Sequence, residues 1–402
     1  MATRLEGSFN GIVTPSNTDA LVPERMTPAR GRNGDRADVM SHMRQVGDPL
    51  ADAVIVEFDE LGRSARSALQ RGLIEGRASV PDAPPAVDAL LVHVETVPHW
   101  VASKLLDEGD RTSLAVPPHW RNLAFSGGSL AHTYSSPAIA RLLVGTGRLT
   151  SAASRRLAET GLWNASTILP GGLRHGAPGY VQTVQVRLLH ARVRASAMSH
   201  GWDADRWGVP INQADVARTW LDFTVVPFTF LEGVGYRLTP EEQSRMYRYW
   251  WYVGHLLGLD EQFFLDIEDH ARAGELLDLL DSITAPPDEN SRALVGALFD
   301  AATAALAVVP ESPMAASDWR DLLNALAGRY HGKDAAALGI PDSPLTAMLP
   351  LLAAGEAKAR HYQAQVPGAV QQAVEDGILA VHGLLTALTE GSTAYQEHVA
   401  AP

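Results

Sequence analysis

Val186-Arg187-Leu188-Leu189-His190-Ala191-Arg192-Val193-Arg194 is the stretch whose reading organises the rest of the chain. It lies in a run from about Tyr180 to His200 with no internal proline or glycine, which reads as one long helix ended by Gly201. Arg187 stands three residues before His190 and Arg194 four after, the offsets that share one helical face. The neighbouring Val184, Val186, Leu188, Leu189 and Val193 are apolar, so this face is expected to be buried. Burying two guanidinium groups beside an imidazole costs several kcal/mol unless anionic partners are present. Two arrangements meet that demand. A metal-bearing anionic cofactor offers its metal to the imidazole and its carboxylates to the arginines, and haem, with one iron and two propionates, is the leading candidate. Buried Asp or Glu side chains would neutralise the arginines equally well, leaving His190 a packed core residue.

Working outward, helical patterns dominate from Asp48 onward. Asp48 caps a helix with Pro49 in its first turn, and Leu50–Leu73 reads as one helix despite Gly62. Pro81–Pro85 is a loop; residues 86–109 hold one or two short helices, broken near Pro98; Ser126–Ser129 reads as a turn, followed by a helix and then another over Ala138–Thr146. Further helices are expected over Thr150–Ser166, Gln213–Gly233 with Asn212 as cap, and Thr239–Leu257 with a Thr-Pro-Glu-Glu capping signature. The remainder predicts helices near 260–283, 289–308, 317–328, 345–361 and 367–389. The expected fold class is all-α. Residues 1–45 form a polar, Gly- and Pro-rich arm, and 46–402 a single helical domain.

The chain has 402 residues, 46% of them hydrophobic, enough for a large core. A net charge of −13 argues against sequence-independent nucleic-acid binding. There is no cysteine, which removes disulfides, iron–sulfur clusters, thiolate zinc sites and cysteine-held haem. The N-terminal residues carry no apolar signal-peptide core, so a cytoplasmic protein is expected, and the longest apolar run, Ala293–Pro310, is too short for a membrane span. His-Glu-x-x-His, Glu-x-x-His, Gly-x-Ser-x-Gly, Walker A and dinucleotide-binding patterns are missing. Asp266, Asp269 and His270 form a weak metal-ligand candidate, and Trp250-Trp251-Tyr252 reads as core.

A second constellation precedes the first. In Arg155-Arg156-Leu157-Ala158-Glu159-Thr160, Arg156 and Thr160 share a face and Glu159 lies on the adjacent strip. The Gly-rich connection 171–179 is short enough to bring this helix against the His190 helix. Arg156 is then a candidate propionate partner and Glu159 a candidate base, against the alternative of solvated charges on a surface helix.

Gly127-Gly128-Ser129-Leu130-Ala131, Thr146-Gly147-Arg148-Leu149, Arg156 with Thr160, Val186–Arg194, Gly201-Trp202-Asp203 and Trp207–Gln213 together resemble the latex-clearing-protein and MpaB-like family of haem b oxygenases, over about residues 95–290. The resemblance implies an all-α fold with a globin-like helical core, extra helices and one haem b. It matches His190 to the proximal iron ligand, Arg187 and Arg194 to arginines around the haem, and Arg156 with Thr160 to the paired residues of the pocket. It implies dioxygen activation at ferrous haem and cleavage of a carbon–carbon double bond to two carbonyls. In the family's rubber oxygenases a lysine precedes the pocket threonine; here that place holds Glu159. The expectation is a haem-dependent oxygenase acting on a small apolar, unsaturated, isoprenoid-like substrate, with dioxygen and an electron donor that the residues do not specify. The alternatives are a haem-binding sensor, carrier or electron-transfer protein without turnover, and a haem-free helical scaffold.

Overall fold

Asp48 accepts a hydrogen bond from Ala51 N at 3.3 Å and, with Pro49 in the first turn, starts a helix that buries Ala51, Val54, Ile55 and Phe58 along one face. The same logic of cap and apolar stripe recurs along the chain. In this computed structural model, residues 35–144, 149–308, 312 and 314–390 are described, and among them there are helices and no strand. The helices of eight residues or more are α1 (Asp35–Met43), α2 (Pro49–Leu61), α3 (Arg63–Glu75), α4 (Pro85–Glu95), α5 (Pro137–Val144), α6 (Leu149–Ile168), α7 (Pro178–Ser199), α8 (Gln213–Asp222), α9 (Val225–Glu232), α10 (Pro240–Leu256), α11 (His270–Ile283), α12 (Glu289–Ala307), α13 (Ala316–His331), α14 (Leu349–Gln365) and α15 (Ala369–Glu390). No helix among the described residues is long and apolar enough to cross a membrane. The fold class is all-α, as expected.

Several element boundaries differ from the sequence reading, each for a local reason. Leu50–Leu73 is not one helix. Gly62, at φ +61°, ends α2 and lets α3 set off in a new direction, its N–H closing on Phe58 O at 3.0 Å. Gln213–Gly233 is also two helices. Pro227 sits in the third position of α9, where its ring is incompatible with a helical carbonyl at residue 223, and the chain breaks at Phe223–Thr224. Ser126–Ser129 is not a turn but part of a π-helical segment, Ala124–Leu130. A Cβ on Gly127 would lie 2.6 Å from Leu323 Cδ1 and 3.0 Å from the Phe230 ring, so a larger residue there would have to displace side chains of α13 and α9. Of the N-terminal stretch expected to be an arm, residues 35–43 form α1, with Ala37, Met40 and Met43 buried; residues 1–34 lie outside the described residues.

The capping expectations at Asn212 and Thr239 hold as full capping boxes with Asp215 and Glu242. α10 carries Tyr247, Tyr249, Trp250 and Tyr252 fully into the core. Phe223 stacks on Trp250 with centroids 5.4 Å apart, and Trp163 meets Phe223 edge-on at 4.9 Å. The indole N–H groups find partners: Trp250 donates to Asp110 at 2.9 Å and Trp220 to Trp250 O at 2.7 Å.

One buried polar network sits against the π-helical segment. His132 lies between Asp222 (Nδ1 to Oδ1, 2.6 Å) and Asp281 (Nε2 to Oδ2, 3.1 Å). Arg218 donates to Asp281 at 2.7 Å, to the His132 carbonyl at 2.9 Å and to Ser135 Oγ at 2.8 Å, while Thr133 donates to Asp222 at 2.6 Å. Burial and the Arg218 charge oppose protonation of His132, but Asp281 and Asp222 outweigh them and push it up to about 9. The proton is thus held more tightly in the folded chain than in the unfolded one, where imidazole titrates near 6.5. The stabilisation is complete below about pH 6.5 and is lost as pH rises through about 9. Urea unfolding at constant ionic strength should therefore show roughly 2–3 kcal/mol less stability at pH 9.5 than at pH 6.5. His132→Gln should flatten that slope; a wild-type protein equally stable at both pH values would show that His132 is not protonated in the fold.

Candidate functional site

The Leu169–Ala177 connection folds α7 back along α6, and the pair is tied by Trp163 Nε1 donating to Thr183 Oγ1 at 3.0 Å. Thr183, Arg187, His190 and Arg194 lie on one stripe of α7 at offsets of four, three and four. Counting seven residues from the tie in each direction brings the α6 backbone at position 156 to the level of His190, about 10 Å along the helices at 1.5 Å per residue. Thr160 lies one turn nearer the tie, and both Thr160 and Glu159 are half-buried. The side chain of Arg156 and the Thr146-Gly147-Arg148 motif lie outside the described residues.

The structure brings Arg187, His190 and Arg194 together and shows what neutralises the arginines. Arg187, 3% exposed, makes a two-point ion pair with Asp48: Nε to Oδ2 at 2.5 Å and Nη2 to Oδ1 at 2.8 Å. Arg194, 5% exposed, donates from Nε to both oxygens of Asp52 at 2.9 and 3.2 Å, and from Nη1 to the carbonyls of Pro210 at 3.2 Å and Ile211 at 2.6 Å. Ile211, a β-branched residue, is held at φ +50° in that loop. Of the two arrangements that the sequence left open for the arginines, internal carboxylates are present at both. One guanidinium atom remains over: Arg187 Nη1 is buried without a hydrogen-bond partner.

His190 is half-buried, and its imidazole makes no hydrogen bond or ion pair with any described group. Burial, followed by the Arg194 charge, pushes its pKa down to about 4, with Asp48 pulling the other way. At neutral pH it is an uncharged imidazole with an available lone pair, the form a metal ligand requires.

Three further groups close around Arg187. Gly258, at φ +74°, has its Cα against the ion pair: a Cβ there would lie 2.4 Å from Arg187 Nε and 2.5 Å from Asp48 Oδ2. His93 and His255 stack at 4.4 Å, and burial, with the neighbouring Arg187, keeps both neutral. The sequence reading did not single out Asp52, Gly258, His93 or His255, and it read Asp48 only as a cap. The spacing of Asp48 and Asp52, four residues apart on one helical face, was the available signal.

Other sequence candidates fall away. Asp269 is the N-cap of α11, accepting from Arg272 N at 2.9 Å, and His270 Nδ1 is 2.7 Å from the Tyr247 hydroxyl. Among the described residues no group of three or more His, Cys, Asp or Glu is placed to hold a metal ion, so Asp266, Asp269 and His270 do not form a metal site. A small cavity of about 30 Å³, water-sized, lies elsewhere, lined by residues including Arg44, Ser136, Asp215 and Arg218.

No curated protein matches the chain. A solved structure, latex clearing protein LCP in the closed state, is similar with a TM-score of 0.60 and 18% identity, covering 84% of this chain and 91% of that one. At that identity the likeness speaks for the helical fold. A family model described as "ER-bound oxygenase mpaB/B'/Rubber oxygenase, catalytic domain" matches residues 119–357, which include the π-helical segment, α6 and the whole of α7. That match spans more than half of the sequence, and the chain belongs to this family of oxygenases.

Proposed function

We propose that this oxygenase is haem b-dependent, that His190 is the axial ligand of the iron, and that it acts with dioxygen on a small apolar, unsaturated substrate. The observation that carries the reading is the state of His190: a neutral, half-buried imidazole without a protein partner, on the helix that the family match covers. The donor set favours a metal that brings its own ligands. A single imidazole with no neighbouring ligand group suits an iron already held by a porphyrin far better than a bare ion. The unpartnered Nη1 of Arg187 is a buried cationic donor suited to one propionate. Arg156, by its level on α6, is the candidate for a second. Thr160 and Glu159 are assigned to the pocket side of α6, Thr160 as a hydroxyl near the reacting groups and Glu159 as a candidate base. Arg194 has its Nε and Nη1 committed to Asp52 and to the 210–211 carbonyls, so its contribution is to hold α7 in place rather than to face a ligand. When bound, haem would supply dioxygen activation for oxidation or cleavage of a carbon–carbon double bond; a globin-like placement of helices around it is part of the same reading.

The absorption spectrum of the purified chain tests this, with and without dithionite and carbon monoxide. A Soret band that moves with carbon monoxide is expected. No Soret band after haem addition would overturn the haem assignment, and a reduced low-spin spectrum indifferent to carbon monoxide would favour a sensor or electron-transfer protein. His190→Ala should lose the band or at least tenfold in haem affinity, roughly 1.4 kcal/mol or more; a variant with an unchanged spectrum and affinity would remove His190 from the iron.

A further inference from the structure

Asp48 and Asp52 are the first and fifth residues of an α2 face that lies along α7. They stand about 6 Å apart along their helix, whereas Arg187 and Arg194 stand about 10.5 Å apart along theirs. The long arginine side chains converge on the closer pair, and His190 lies between the two arginines on the same stripe. We infer that Asp48 and Asp52 are positioning residues of the His190 site: they are the standing counter-ions of Arg187 and Arg194, and the two ion pairs fix the turn of α7 that presents the imidazole.

Four observations converge on this. Both guanidinium groups are at least nine-tenths buried, so each needs a permanent anionic partner. The Arg187 pair is two-pointed, which fixes orientation as well as distance. Asp48 is tied at its own end, since its Oδ1 also caps α2 through Ala51 N, and the Gly258 backbone packs on the other side of the pair. Arg194 is tied at its far end by the two loop carbonyls. Rotation of α7 about its axis, or sliding along α2, would break both pairs together. Asp59, which faces Arg192 from the exposed end of α2 at 3.6 Å, supplies a control: an ion pair between the same two helices that does not bracket His190 in a buried site.

The consequence for iron binding rests on the proposed function; the counter-ion and positioning roles do not, and the full-length protein can be tested before haem is added. Thermal unfolding of Asp48→Asn, Arg187→Gln and the double variant forms one cycle. Each single change should lower Tm by about 4–6 °C, and the double should fall no further than the worse single. Additive losses would overturn the counter-ion role. Asp52→Asn, at a half-exposed carboxylate, is the milder companion if Asp48→Asn fails to fold. The imidazole proton resonances of His190 report position directly. They should move in Asp48→Asn or Asp52→Asn, return toward the wild-type position in Asp48→Glu, and stay put in Asp59→Asn. Resonances unmoved by the first two variants would overturn the positioning role. Haem titration then separates the two readings. If wild type takes no haem, the functional proposal fails while the cycle and the resonances still decide the clasp. If wild type binds haem, the Asp48→Asn protein should bind it at least tenfold more weakly, and equal affinity would limit the clasp to the haem-free protein.

Discussion

The ion pair between Asp48 and Arg187 joins more of this molecule than any other single contact at the site. One carboxylate starts α2, neutralises a buried arginine of α7 and lies against the backbone at Gly258 just after α10. Three helices meet at that pair, and none of its groups is free to leave without exposing another. A buried arginine deprived of its carboxylate is an uncompensated charge in a poorly polarisable medium, which is why such pairs are costly to break even when forming them gains little. Breaking the pair is therefore expected to cost more than forming it gains, and its two-point geometry ties the placement of α7 to that of α2. The family match begins at residue 119, so the clasp also links the matched region to helices that precede it.

The His132 network solves the same problem at the other charged centre by different means. There the charges balance locally, with His132 and Arg218 against Asp222 and Asp281, and the elements joined are the segment after the π-helical turn, α8 and α11. His331, whose proton burial and the nearby His132 remove, stays neutral and meets the carbonyl of Gly127 at 2.8 Å. That contact fits the π-helical geometry, which displaces carbonyls from the regular ladder and leaves them open to side chains. Trp163, Phe223 and Trp250 pack on one another in the buried core.

How much of this was legible beforehand follows from how local each cause is. Caps at Asp48, Asn212 and Thr239 are read from a few neighbouring residues, and the sequence states them openly. The breaks at Gly62 and before Pro227 were also local, yet helical periodicity runs through both, and the apolar pattern outweighed the punctuation. The shared face of Arg187, His190 and Arg194 follows from spacing alone. Their partners do not: 139 residues separate Asp48 from Arg187 and 142 separate Asp52 from Arg194, and nothing near either arginine names the carboxylate it will meet. The sequence could pose the requirement for buried anions and could not choose between a cofactor and the chain itself as their source. The same limit hid Gly258, whose lack of a side chain has meaning only beside a contact made elsewhere in the chain.

Charge at the site constrains the proposed cofactor more than shape does. With Asp48 and Asp52 in place, the described groups around His190 carry no net positive charge: two arginines meet two carboxylates and the imidazole is neutral. A haem bearing two propionates would add negative charge to this balanced set, and if Glu159 faces the same pocket, as proposed, it would add more where the resemblance expects a lysine to offset it. Arg187 Nη1 offers an unused donor but no further charge, so under the proposed function the compensating cations are left to other residues, for which Arg155 and Arg156 are the candidates that the sequence offers. An amine at the position of Glu159 could ligate iron through nitrogen and add positive charge when protonated; a carboxylate can do neither, and Glu159 already has an interaction of its own. Under the proposed function, the reversal of charge at that one position would leave neutralisation of the cofactor to arginines.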